Sequence, residues 1–151
     1  MRMRSGHSSQ SSIRFNTNGT DRSYVYNDSS NNIGFLNTNA NWTWKVDNSG
    51  NCTATANVTA YSDITLKEDI EVIPNALDKV SAIRGVTYNR KDIEDKPRHA
   101  GVIAQEVEKV LPEVVSTNEE GIKSVAYGNL VGLLIEAVKE LKSEVEILKA
   151  K

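Results

Sequence analysis

The sequence predicts two structural classes in one chain: an all-β segment over residues 1–61, then an α+β region over residues 62–151 that ends in a long coiled-coil helix. Three observations predict this. Residues 1–61 hold only 8 of the 38 charged residues, but 11 of the 15 asparagines and 7 of the 9 aromatics. In that segment, short runs of alternating polarity are separated by Asn-, Asp- and Gly-rich clusters, the spacing of short strands and turns. Near the C-terminus, valine and leucine recur every seven residues. The overall values, 38% hydrophobic, 25% charged and a net charge of -2 over 151 residues, average across this break. It falls at Tyr61–Ser62.

Composition also excludes several function classes. No run approaches the roughly 20 apolar residues of a membrane span, and the first ten residues have charge but no apolar stretch, unlike a signal peptide. The near-neutral balance gives no reason to expect nucleic acid. A single cysteine, Cys52, rules out an internal disulfide, and two separated histidines, His7 and His99, leave no set of zinc ligands. No metal and no cofactor are expected; without a Gly-rich phosphate loop, nucleotide binding is not expected either.

In the first segment the strand candidates are Ser12–Phe15, Tyr24–Tyr26, Ile33–Leu36, Trp42–Val46 and Thr53–Thr59, separated by turns at Thr17–Gly19, Asn27–Ser29, Asn37–Asn39 and Asp47–Gly50. Sixty residues with few aliphatic side chains bury little core alone, which favours a stalk completed by other chains over a small monomeric domain. From residue 62 the elements are a short helix after Pro74, with Asn75 as N-cap and Gly85 as stop, and a strand over Gly85–Tyr88. A second strand over His99–Ile103 follows the polar loop Asp92–Pro97. Next come a helix from Ala104 to Leu111 ended by Pro112, and a hairpin of Val114–Ser116 with Ile122–Tyr127. The last helix, about residues 129–150, places Val131, Val138 and Val145 at heptad position a and Leu134, Leu141 and Leu148 at d. This pattern leans toward two strands. Leu130 and Ala137 at g, with Ile135 at e, widen the stripe, which suits three strands or docking on the protomer's own core.

Candidate chemistry sits at the join. Ser62, Asp63 and Lys67 lie within six positions of one another. A serine hydroxyl becomes a nucleophile when a base takes its proton, and a lysine held as the free amine is such a base. Regular structure cannot pair them: five residues apart on a strand their side chains lie on opposite faces roughly 16–17 Å apart, and on a helix they are about 140° apart. Either the backbone turns sharply at Asp63–Leu66, or Ser62 of one protomer meets Lys67 of another.

Ser62-Asp63-x-x-Leu66-Lys67-Glu68-Asp69-Ile70, Gly85-Val86-Thr87-Tyr88, Gly101 through Glu108, Leu111-Pro112-Glu113-Val114-Val115, Val125-Ala126-Tyr127 and Leu130 through Leu141 together resemble the C-terminal intramolecular chaperone domain of phage tail spikes and fibres, the peptidase S74 family that includes the endosialidase chaperone. The Asn-rich first half is similar in style to the end of such a fibre. The resemblance implies an intertwined homotrimer, joined through Val131, Leu134, Val138, Leu141, Val145 and Leu148. Residues 62–151 would register the upstream β-fibre of the same chain and then cut themselves off. It implies a single-turnover serine endopeptidase with Ser62 and Lys67 as its dyad, a scissile bond at Ser62–Asp63, assembly in the host cytoplasm and a final place in the virion tail.

One chemical difficulty attends that bond. Attack by Ser62 on the carbonyl before it passes through a five-membered ring, whereas attack on its own carbonyl needs a four-membered one. Cleavage after Ser62 therefore calls for another chain, an activated water or help from Asp63. His99 and Glu106 are auxiliary candidates, each with a plain structural alternative at a strand start and in a first helical turn. The competing reading is a coiled-coil trimerisation module that ends a fibre and never cuts.

Overall fold

The computed structural model describes residues 11–94 and 97–151; His7 and part of the loop at 92–97 lie outside them. The chain forms two units, divided between Ile64 and Thr65.

The first unit is one antiparallel meander: β1 (Ser11–Thr17), β2 (Thr20–Asn27), β3 (Ile33–Leu36), β4 (Trp42–Val46) and β5 (Cys52–Ala54), each paired with its sequence neighbours. Its turns explain the asparagine content. Asn18 and Gly19, with φ of 51° and 79°, make the tight β1–β2 turn, where positive φ at both positions matches the twist of the strands. The next three loops share one plan. Asp28 Oδ1 accepts the amides of Ser30 and Asn32, Asn37 Oδ1 those of Asn39 and Asn41, and Asp47 Oδ1 those of Ser49 and Asn51, at 2.9–3.1 Å. The residue before the closing asparagine is left-handed each time: Asn31, Ala40 and Gly50. A short side-chain acceptor at the first position thus satisfies two amides that no strand can reach. The expected strand over Thr53–Thr59 is instead Cys52–Ala54, and beyond it the Thr55 amide still bonds to the Thr43 carbonyl of β4 at 3.1 Å.

Register sorts the side chains by face. Ile13, Val25, Phe35, Trp44 and Ala54 are cross-strand partners in one unbroken row, and Asn27, Ile33, Val46 and Cys52 continue the next row on the same face. On the other face Arg14 lies over the Tyr24 ring, Lys45 over the Trp42 ring, and Tyr26 meets Trp42 edge to face at 5.5 Å. Leu36 is the one buried large hydrophobic among the described residues of this unit.

The second unit is α+β. In order come α1 (Ala76–Ser81), the hairpin β6–β7 (Val86–Asn89, Arg98–Gly101), α2 (Ala104–Val110), the hairpin β8–β9 (Val115–Thr117, Lys123–Val125) and α3 (Leu130–Lys149), 20 residues long. Ala76, Val107, Leu111, Val114, Leu133 and Ala137 form its core. Several boundaries differ from the expectation. Asn75 is left-handed, φ 52°, and its side chain makes no cap bond; the helix closes at Ala82 rather than Gly85, its amide bonding to the Asp78 carbonyl at 3.1 Å. Pro112 ends α2 but also opens a 3-10 turn, Pro112–Val114, since its fixed φ suits a first helical position. That turn takes Val114 out of the expected strand and into the core. The β8–β9 loop repeats the plan of the first unit, with Asn118 Oδ1 accepting the amides of Glu120 and Ile122 and Gly121 at φ 79°.

Gly34 is required where β3 meets β4. A Cβ there would run into the Trp44 carbonyl oxygen and sit 2.7 Å from Lys45 Cα, both backbone atoms. Gly34→Ala is expected to destabilise the sheet by about 1–3 kcal/mol, as overpacking does, and to lower its denaturant midpoint.

Candidate functional site

Ser62 and Asp63 are exposed and precede a 3-10 turn, Ile64–Leu66; Lys67 follows it directly and is also exposed. The backbone between Ser62 and Lys67 is thus bent rather than extended. A 3-10 turn advances about 2 Å per residue against about 3.3 Å in a strand, so the stretch is shortened relative to an extended chain. A lysine serves as a base only as the free amine, which burial favours. Around the turn, Tyr61 is 98% exposed, and Ile64, Leu66, Ile70 and Val72 are exposed as well.

Helix α3 has two apolar stripes. Leu130, Leu133 and Ala137, at positions g, c and g, face α1 and the core of their own unit, with Leu133 only 1% exposed. The a and d residues Val131, Leu134, Val138, Leu141, Val145 and Leu148 are all exposed. Docking thus accounts for the g residues that widen the stripe, and the seam itself is left uncovered.

One polar residue on the docked stripe was not anticipated. Glu140, three positions after Ala137, accepts the backbone amides of Ala76 at 2.9 Å and Leu77 at 2.7 Å. It supplies the cap that Asn75 does not, and its carboxylate gains from the first-turn dipole. These two backbone bonds hold its carboxyl below the usual glutamate range. The signal in the sequence is the run Leu130, Leu133, Ala137, Glu140: a carboxylate that continues an apolar stripe needs a donor.

The auxiliary candidates are occupied differently. Glu106 receives the Arg84 backbone amide at 3.1 Å and its guanidinium Nε at 2.8 Å, and this pairing lowers its carboxyl below the ordinary range. It ties the chain after α1 to the first turn of α2. His99 stacks on Tyr88, centroids 5.7 Å apart, and its Nε2 is buried without a hydrogen-bond partner. Beside this hairpin an open groove of about 620 Å³ is lined by Val86, Tyr88, Val102, Ile103, Gln105, Lys123 and Tyr127 among others. A Cβ at Gly101 would come within 2.5 Å of the Tyr127 hydroxyl, so the exposed tyrosine ring would have to shift. Among the described residues no cluster of potential ligands could hold a metal ion, and no helix is long and apolar enough to cross a membrane.

Residues 62–116 match the family described as the chaperone of endosialidase, peptidase S74. The match begins at Ser62 and ends at Ser116, so β9 and α3 lie beyond it. In particular, the chain is similar to the long tail fiber protein Gp37 of Enterobacteria phages K3 and T2, 39% identical over 102 residues in each, covering 63% of this chain and 8% of either protein. Gp37 of Salmonella phage S16 is 35% identical over 97 residues, covering 58% of this chain and 13% of that protein. The chain thus spans a small fraction of the length of these relatives.

Glu140 carries a pH prediction. Its carboxyl is lowered in the folded state, so its contribution is complete above the ordinary glutamate value of 4.5 and is lost as pH falls through the lowered one. Acid titration of the second unit by circular dichroism should show an unfolding limb below that value. Glu140→Gln should flatten the limb, and Glu140→Leu should lower the melting temperature at neutral pH more than Glu140→Gln does.

Proposed function

We propose that residues 62–151 assemble and register the end of a phage tail fibre, of which residues 1–61 are the β-rich terminus, and then detach by a cut at Ser62. The observation that carries the assembly role is the seam of α3. Six regularly spaced aliphatic residues stay exposed on a helix already anchored through another face. A stripe of this kind on a docked helix calls for further helices like itself. Val at a with Leu at d leans by itself toward two strands; three is the number implied by the family resemblance.

In this reading the helices associate first and bring the first units of several chains together at high effective concentration. The β-meander pairs only sequence neighbours, so its strands close locally within each chain. The slow step is aligning sheets of different chains, and that is the step a pre-formed helical nucleus shortens. Assembly also supplies what Lys67 lacks alone: burial, which would favour the free amine, and a neighbouring chain from which Ser62 can be reached. Once the chaperone is released, the fibre cannot unfold along the route by which it formed, which is kinetic stability.

Intact mass with size in solution tests the proposal. The wild-type chain is expected to assemble and to yield fragments cut near residue 62, while Ser62→Ala and Lys67→Ala leave assembled, uncut chains. Normal cutting in Lys67→Ala would remove the dyad, and efficient cutting by a monomer would remove the gating by assembly. N-terminal sequencing of the released fragment distinguishes the bonds: Asp63 places the cut after Ser62, and Ser62 indicates an acyl shift across Tyr61–Ser62. Leu134→Glu with Leu141→Glu, which puts like charges into the seam, should give monomers that stay uncut while the second unit keeps its helical signal.

A further inference from the structure

Of the 15 asparagines in the sequence, only Asn18 is followed by glycine. An Asn-Gly step is the most open of all to spontaneous deamidation, because glycine has no side chain to hinder its own amide nitrogen. That nitrogen attacks the asparagine Cγ, the Cγ–Nδ2 bond breaks, and ammonia leaves with the proton that the amide gives up. Water then opens the succinimide at either carbonyl, giving aspartate or isoaspartate. Asn18 and Gly19 are both exposed at the tip of the β1–β2 turn, so water and base reach them freely.

The attacking nitrogen, however, is engaged. The Gly19 amide donates to Asn16 Oδ1 at 2.9 Å, a bond that reaches back to the end of β1. Hydrogen bonding to the protonated form of a group opposes loss of its proton, and here the proton lost is the one that starts the reaction. Asn16 is held as well, since its Nδ2 donates to Asp21 Oδ1 at 3.0 Å. A carboxylate only accepts and an amide N–H only donates, so these two partners decide which end of the Asn16 side chain faces Gly19. Asp21 is steadied in turn by the Tyr24 hydroxyl, which donates to it at 3.1 Å.

We infer that Asn18 is a deamidation site and that Asn16 is its guard, holding the Gly19 amide so that the exposed turn reacts far more slowly than its sequence allows. The product would damage the hairpin. Isoaspartate adds a methylene to the main chain of a two-residue turn in which Asn18 and Gly19 both have positive φ. β1 is an edge strand with β2 as its only sheet neighbour, so its register depends on that turn. In the fibre end proposed above, which is made once and not replaced, this step limits how long β1 stays paired. The role of Asn16 stands on the hairpin alone and does not require that reading.

The experiment incubates the full chain in mildly alkaline buffer and follows the mass of the peptide that carries residue 18, with isoaspartate detected by methyl transfer. The same chain in urea, with its β signal abolished, is the unprotected reference. The folded wild type is expected to deamidate at least roughly ten-fold more slowly than the reference, and Asn16→Ala to recover most of that difference while keeping its β signal. Ile13→Ala is the second variant: it loosens the same hairpin without touching the Gly19 amide, and its rate should stay near that of the wild type. A folded wild type as fast as the reference overturns the inference. So does Asn16→Ala no faster than the wild type, or Ile13→Ala as fast as Asn16→Ala, since looseness of the hairpin then accounts for the rate. An unreactive Asn18 in urea overturns the site itself.

Discussion

The second unit depends on how α3 is held. Leu130, Leu133 and Ala137 fix one side of the helix to the core, and Glu140 binds the first amides of α1 at the end of the same stripe. The apolar contacts supply most of the attraction, because burial of side chains such as Leu133 is worth about 1.5–3 kcal/mol each. The carboxylate adds direction: it has two donors to satisfy, and they lie at one place on α1. Together they set the rotation of α3 about its own axis. That rotation determines that Val131, Leu134 and Val138 face outward rather than in. A helix free to roll would hide its longer stripe against its own unit, and nothing would be left to meet another chain.

The first unit solves a different problem. With few aliphatic side chains it has little hydrophobic burial of its own, and Leu36 alone is buried among its large described side chains. Local polar chemistry takes over the task of defining the register. Asp28, Asn37 and Asp47 each satisfy two loop amides, and the side chains of Asn32 and Asn51 return a bond to the aspartates. Those bonds hold both aspartate carboxyls below their ordinary range. Loops that fix themselves set the pairing of the strands between them. The sheet is therefore specified in detail with little core of its own.

Much of this was legible in the sequence, and the misses share a cause. Period-2 runs and Asx clusters placed the first four strands, and heptad spacing placed α3 to within a residue at either end. The last strand was drawn too long because alternation of Thr and Ala records polarity but not where pairing with β4 ends, which is at Ala54. Asn75 was read as a side-chain cap from its type and place, whereas the cap comes from Glu140, 65 positions along the chain, and no local pattern carries that contact. The g residues of α3 left two options open, and only the packed core shows that Leu130 and Ala137 belong to their own unit. At the join, residue types suggested Ser62, Asp63 and Lys67, and the 3-10 turn at Ile64–Leu66 lies between them.

The repeated loop gives the first unit a modular grammar. Its openings at Asp28, Asn37 and Asp47 stand nine and ten residues apart, and each loop closes its own hydrogen bonds without help from beyond the adjoining strands. A strand with its loop is thus a self-contained unit of the sheet. One such length could be gained or lost without redesigning its neighbours, provided that inward-facing positions keep their parity. The sheet would then grow or shrink by whole strands, while the segment downstream of residue 62 stays the same.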